Sequence, residues 1–168
     1  MSPDEAARTF TYIWRYAFQE SPEDIELSTK ILSESTSRID AHIATNTSRL
    51  DSMMRVLLEE KGLKKRSKLL DDVIAINSRC RTFVCASPVT DASMNQLFRT
   101  YKTSFEAPID VTVVQAVRAT CAMPGWFTPS VIGERLQTRE YIACQNTLTN
   151  PVKVVLRECN DIFGPERR

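Results

Sequence analysis

Apolar residues recur at helical spacing near the start of the chain, where Ala6, Phe10, Ile13, Trp14, Ala17 and Phe18 share one stripe. Ahead of them Ser2-Pro3-Asp4-Glu5 forms a capping box, with Ser2 as N-cap, Pro3 at the first helical position and Glu5 reaching back. The same start signal returns at Ser21-Pro22-Glu23-Asp24, before a weaker stripe of Ile25, Leu27, Ile31 and Leu32. Ser33 to Arg49 is rich in Ser, Thr and Asn and has the weakest pattern of all, so it reads as a loop or a marginal helix. Ser52 to Glu60 is a clearer helix, with Met53, Met54, Leu57 and Leu58 as its stripe and Lys61-Gly62 as its stop.

The second half changes period. Thr82-Phe83-Val84-Cys85 is β-branched and aromatic and is closed by Pro88, as a buried strand would be. Leu97 to Tyr101 reads as a second strand. Asp110 is placed to cap a helix running to about Ala122, with Val113, Val114, Val117 and Cys121 facing in and Met123-Pro124-Gly125 as its end. Phe127 to Ile132 and Glu140 to Cys144 read as short strands. Asn150-Pro151 starts a last helix, which carries Val152, Val155, Leu156, Cys159, Ile162 and Phe163 on one side and stops at Gly164-Pro165. The region 1–78 is thus mainly helical and 79–168 mixes strand and helix, an α/β pattern with a helical lead segment.

Length and composition narrow the class. The chain has 168 residues, room for one ordinary domain, and 42% apolar with 26% charged residues is the balance of a globular protein. Apolar runs are too short for a membrane span, and Met1-Ser2-Pro3-Asp4-Glu5 does not begin a secretory signal, so a cytoplasmic protein is expected. The net charge of +1 exerts no general pull on nucleic acid. Five cysteines (Cys80, Cys85, Cys121, Cys144 and Cys159), none in a C-x-x-C pair, read as reduced and mostly buried thiols. Cys80 and Cys85, taken as lying on one strand, would face opposite sides of it. With a single histidine no metal site is expected, and no cofactor motif is present.

Candidate chemistry is sparse. The four glycines, Gly62, Gly125, Gly133 and Gly164, form no G-x-S-x-G elbow and no glycine pair for an oxyanion hole. His42 could act as a general base, yet it stands alone in the weakest-patterned stretch and reads as an exposed helical or loop histidine. Lys61, Lys64, Lys65, Arg66 and Lys68 form a basic run that could hold anionic lipid head groups. Its alternative reading is a solvated helix end, balanced by Glu59, Glu60, Asp71 and Asp72. Trp14 and Trp126 sit in apolar spacing, as packing residues do.

Four stretches in order carry a resemblance. They are Arg81-Thr82-Phe83-Val84-Cys85-Ala86-Ser87-Pro88, Leu97-Phe98-Arg99-Thr100-Tyr101, the run from Ala116 to Phe127 containing Arg118-Ala119-Thr120 and Pro124-Gly125-Trp126, and Tyr141-Ile142 with Asn150-Pro151-Val152. Together they resemble the C-terminal half of a patatin-like phospholipase domain of the fungal kind. The Met1 to Phe18 helix is similar to the family's helix after the nucleophile elbow.

The resemblance implies a partial α/β/α sandwich and a lipid acyl hydrolase that uses a Ser–Asp dyad in lipid metabolism. The nucleophile segment would belong upstream of Met1, so the chain is expected to be a truncated form. The dyad Asp of a D-G-G or D-G-A motif would fall on Ala143-Cys144-Gln145. Ala143 cannot accept a proton, and Glu140, three residues away on a strand, points to the opposite face. The expectation is therefore a catalytically inactive family member, with a phospholipid or acyl-lipid surface as possible partner. The rival readings are a pseudo-enzyme module that binds lipid or protein without catalysis, and a mis-bounded gene product with no independent fold.

Overall fold

A computed structural model describes residues 2–17, 36–64, 66–70, 80–103, 105–133, 137–144, 148 and 150–164. The second start signal at Ser21 and the stripe from Ile25 to Leu32 lie outside these residues, as do Lys65 and Gln145. The elements are α1 (Pro3–Ala17), α2 (Thr36–Glu60), β1 (Phe83–Pro88), β2 (Gln96–Arg99), α3 (Val113–Cys121), β3 (Ser130–Ile132), β4 (Arg139–Ala143) and α4 (Val152–Phe163). The described chain is mixed α/β and divides into two compact units, residues 1–65 with 122–128, and residues 66–121 with 129–168.

In the first unit α1 packs on α2. The Ser2 cap is formed, its Oγ accepting the Glu5 amide at 3.2 Å. The Glu5 carboxylate reaches back to the Ser2 backbone amide, as the box requires, and also takes the Lys61 ammonium at 2.6 Å. Phe10, expected on the inward stripe of α1, is 65% exposed. From Thr36 on, the polar stretch expected as loop or marginal helix belongs to one continuous 25-residue helix, α2. Apolar periodicity missed it because its inward face begins with polar groups, the buried Asn46 and Thr47, before Leu50, Met53 and Leu58.

Those groups have partners. Asn46 Nδ2 donates to the Trp126 carbonyl at 3.4 Å, and Thr47 Oγ1 accepts the Thr128 amide at 3.0 Å. The hydroxyls of Thr45, Thr47 and Ser52 donate to carbonyls one turn back, which removes their competition with the helix. Lys61-Gly62 stops α2 as expected. Gly62 takes φ +72° and its amide reaches Glu59 O, while the Leu63 amide reaches Leu58 O, the paired bonds of a Schellman turn.

In the second unit four strands form one antiparallel sheet in the order β2-β1-β4-β3. Alternation sends Val84 and Ala86 of β1, Phe98 of β2, Tyr141 of β4 and Ile132 of β3 to one face, where Ala116 and Ala119 of α3 close the core. Phe98 meets Tyr141 edge to face, with centroids 5.2 Å apart.

Asp110 is not the cap of α3. The chain runs extended through Val111 and Thr112, whose neighbours bond to 67–69 (Leu69 N to Val111 O, Val113 N to Ser67 O). Thr112 is the cap, its Oγ1 accepting the Gln115 amide while Gln115 Oε1 accepts the Thr112 amide, a reciprocal box. Asp110 pairs instead with Lys68 at 2.6 Å. Of the four residues expected to face in, Val114 is buried, and Val113, Val117 and Cys121 are half-buried. β3 is shorter than expected because the Trp126 and Phe127 amides turn back to the Met123 carbonyl around Gly125. Cys80 is exposed and precedes β1 rather than lying on it.

α4 departs most from its pattern. Asn150 Oδ1 accepts the Val152 amide, as the Asn-Pro start requires. Yet Val152, Val155, Leu156, Cys159 and Phe163, the expected inward side, are exposed. The buried residue of the helix is Glu158.

Candidate functional site

The face of the sheet opposite α3 gathers the polar and nucleophilic groups. Alternation places Cys85 and Ser87 of β1, Arg99 of β2 and Ile142 of β4 there. Arg99 grips Glu158 with two parallel bonds, Nε and Nη2 each at 2.7 Å from a carboxylate oxygen, and reaches Glu106 through Nη1 at 2.6 Å. The Tyr101 hydroxyl donates to the same Glu158 carboxylate at 2.7 Å. α4 is thus tied to this face by charge, which explains why its buried position is an acid.

The electrostatics follow from that geometry. The Arg99 bonds hold the Glu158 carboxyl below the usual carboxylate range against the opposing effect of burial. Burial, then the Glu158 carboxylate, raises the Tyr101 phenol. Burial, followed by the charge of Cys144 and then of Glu158, pushes the Cys85 thiol up to about 11. A cavity of about 10 Å³ beside Arg99, Tyr101 and Glu106 has room for one water and no more.

Ala143, the position that the resemblance assigns to the dyad base, is the last residue of β4 and stands opposite Ala86. Glu140 is exposed and pairs with Val131, one step out of phase with Ala143, so it is on the other face as expected. The next residue, Cys144, accepts a hydrogen bond from the Ser87 hydroxyl at 3.4 Å. Ser87 is 1% exposed. Among the described residues this enclosed hydroxyl is bonded to a sulfur and to no carboxylate or imidazole that could activate it. Sequence reasoning missed this pairing. The alternation of Cys85 and Ser87 was visible, but their partner on β4 depends on strand register, which no local pattern encodes.

The basic run is not a continuous free patch. Lys61 is engaged by Glu5 and Lys68 by Asp110, while Lys64 and Arg66 are exposed. The Glu5 bond raises the Lys61 ammonium and lowers Glu5 in return. The run also straddles the boundary between the two units. His42 lies on α2 and is half-buried rather than exposed. A wide depression of about 330 Å³ on the first unit is lined by Tyr16, Thr45, Ser48, Arg49 and Ser52. No helix among the described residues is long and apolar enough to cross a membrane.

Comparison with protein-family models, with curated proteins and with solved structures finds no match for this chain.

Proposed function

We propose that this chain is a non-hydrolytic member of the patatin-like phospholipase group, a partial α/β/α sandwich retained for contact with lipid or acyl surfaces. One observation carries the absence of hydrolysis: the base position is Ala143, and the buried Ser87 hydroxyl on the neighbouring strand is bonded to a cysteine sulfur. The sandwich is supported by the second unit, where α3 covers one face of the sheet and Glu158 of α4 is bound on the other. The resembling stretches fall in order on β1, β2, α3 and β4 of that unit, apart from residues 122–127, which belong to the first unit.

Acyl transfer needs an activated serine, a base within reach of it and donors for the oxyanion. The expected outcome with purified chain and nitrophenyl acyl esters is release no faster than a heat-killed control. Turnover above that control, abolished by a serine-directed inhibitor, would refute the reading.

The second reading, a lipid- or protein-binding module, is favoured by the exposed apolar side of α4. Sedimentation with anionic phospholipid vesicles tests it. Binding that weakens as salt rises would implicate Lys64 and Arg66, since surface charge is screened within about 10 Å at 0.1 M salt. Salt-insensitive binding would implicate α4.

A further inference from the structure

We propose that Cys85 and Cys144 are a redox pair, closing a reversible intramolecular disulfide that joins β1 to the end of β4. The register brings them together. β1 and β4 pair antiparallel with Ala86 opposite Ala143, so the next rung of the same ladder sets Cys85 opposite Cys144. The Val89 amide bonds to the Glu140 carbonyl, which marks that pair, and every second rung from it, as hydrogen-bonded. Cys85 and Cys144 fall in that phase one step past the last paired rung, where Cα atoms of a continued ladder stand about 5.5 Å apart, within the range that disulfides span.

The side chains share a face. Ser87, two residues from Cys85 and so on the same side of β1, donates to Cys144 Sγ at 3.4 Å. Burial, and after it the neighbouring Cys144, raises the Cys85 thiol. Both are reduced and half-buried.

Cβ atoms opposite each other in a sheet are about 4.5–5.5 Å apart, somewhat wider than an unstrained disulfide prefers. Closure therefore draws the end of β4 inward, and bonds under such tension are the readily reduced ones. Cys144 is free to give, because it lies just past the last strand residue.

The co-reactant is a hydroperoxide. The Cys144 thiolate attacks one peroxide oxygen, the O–O bond breaks, and the departing oxygen leaves as hydroxide or alkoxide and takes up a proton. The sulfenic acid so formed is attacked by the Cys85 sulfur. The S–S bond forms, the S–O bond breaks and water leaves with the Cys85 proton. Two thiols lose two electrons and the peroxide gains them. The raised Cys85 thiol is the poorer nucleophile, which assigns it the second step. A dithiol reductant reverses the change by exchange.

Trypsin separates all five cysteines, with Cys85 in residues 82–99 and Cys144 in residues 140–153. The test treats the folded, full-length chain with hydrogen peroxide, blocks the remaining thiols and maps peptides without reduction. The expected main product is peptide 82–99 joined to 140–153, dissolved by dithiothreitol and absent from C144A. The same oxidation in guanidinium is expected to scatter linkages among the five cysteines, because register no longer selects the pair. Three outcomes would overturn the proposal: both thiols remaining fully alkylatable, preferential linkage of exposed Cys80 or Cys159, or the same product distribution in denaturant. If C144A is poorly folded, C85A serves as the second variant, and persistence of a Cys144-linked peptide in its place counts against the pair.

Discussion

At the residue scale the most consequential side chain is Glu158. Its carboxylate is almost fully enclosed, with 4% of the side chain exposed against 10% for Arg99, and both its oxygens are bonded to that guanidinium. Removing one partner of such a pair leaves an uncompensated buried charge, a loss of about 3–5 kcal/mol. Arg99→Met is expected to cost that much in urea unfolding, whereas the exposed Lys61–Glu5 pair is expected to be replaced by alanines with no measurable shift. The pH dependence has two limbs. Glu158 has a folded-state value below its ordinary 4.5, so its contribution is present above that pH and lost as pH falls through the lowered value. Tyr101 and Cys85 are raised from 10.0 and 9.0, so their contribution is whole below about pH 9 and fades as pH rises beyond it. The urea midpoint, measured from pH 3 to pH 11, is expected to fall at both ends. The acid limb is expected to shrink in Glu158→Gln. None of these roles was legible from sequence, because an acid on a helix and an arginine on a strand say nothing of each other until the fold brings them within 2.7 Å.

At the element scale, caps and stops were the most legible features and β-register the least. Ser2 and Gly62 act where the local code placed them, while Asp110 yielded to Thr112 because residues 111–112 were drawn into pairing with 67–69. Thr112→Ala is therefore expected to lose about 1 kcal/mol, as caps do, and Asp110→Ala much less, compared by chemical denaturation. Gly62→Ala forces a β-carbon onto a left-handed residue with open space around it, a cost of about 1–2 kcal/mol. Gly133→Ala is expected to be worse, since its β-carbon would collide with the Gln137 carbonyl as well. In the core, Phe98 is 1% exposed and stacks edge-on against Tyr141, so Phe98→Ala is expected to cost about 3–5 kcal/mol.

At the scale of the whole molecule the outstanding feature is uncovered apolar surface. Leu156 and Phe163 of α4 are 64% and 74% exposed, and Phe10 of α1 is similar. Apolar patches of this kind attract partners or dyes. The chain is expected to bind a hydrophobic dye in its native state, and Leu156→Glu with Phe163→Glu is expected to reduce that fluorescence while leaving the melting temperature nearly unchanged. The second half of that outcome follows from α4 being held chiefly through the buried Glu158, the exposed Phe163 ring contributing a contact with the Arg81 guanidinium at 5.2 Å. If the double variant melts much earlier, the apolar side is part of the core after all.

What the chain determines locally is what short-range chemistry can specify. The first-turn serine of α1, the glycine stop of α2, the β-branched run of β1 and the Asn-Pro start of α4 each depend on bonds between residues a few positions apart. The tertiary structure alone decided which faces are buried. α2 turns inward a polar stripe because Trp126 and Thr128 supply its hydrogen bonds. α4 turns inward a single acid because Arg99 waits on β2, and an ion pair fixes a helix against a periodicity that points the other way. Cys85 and Cys144 become neighbours only through the β1–β4 register, set by pairing between segments far apart in the chain, which local patterns do not encode.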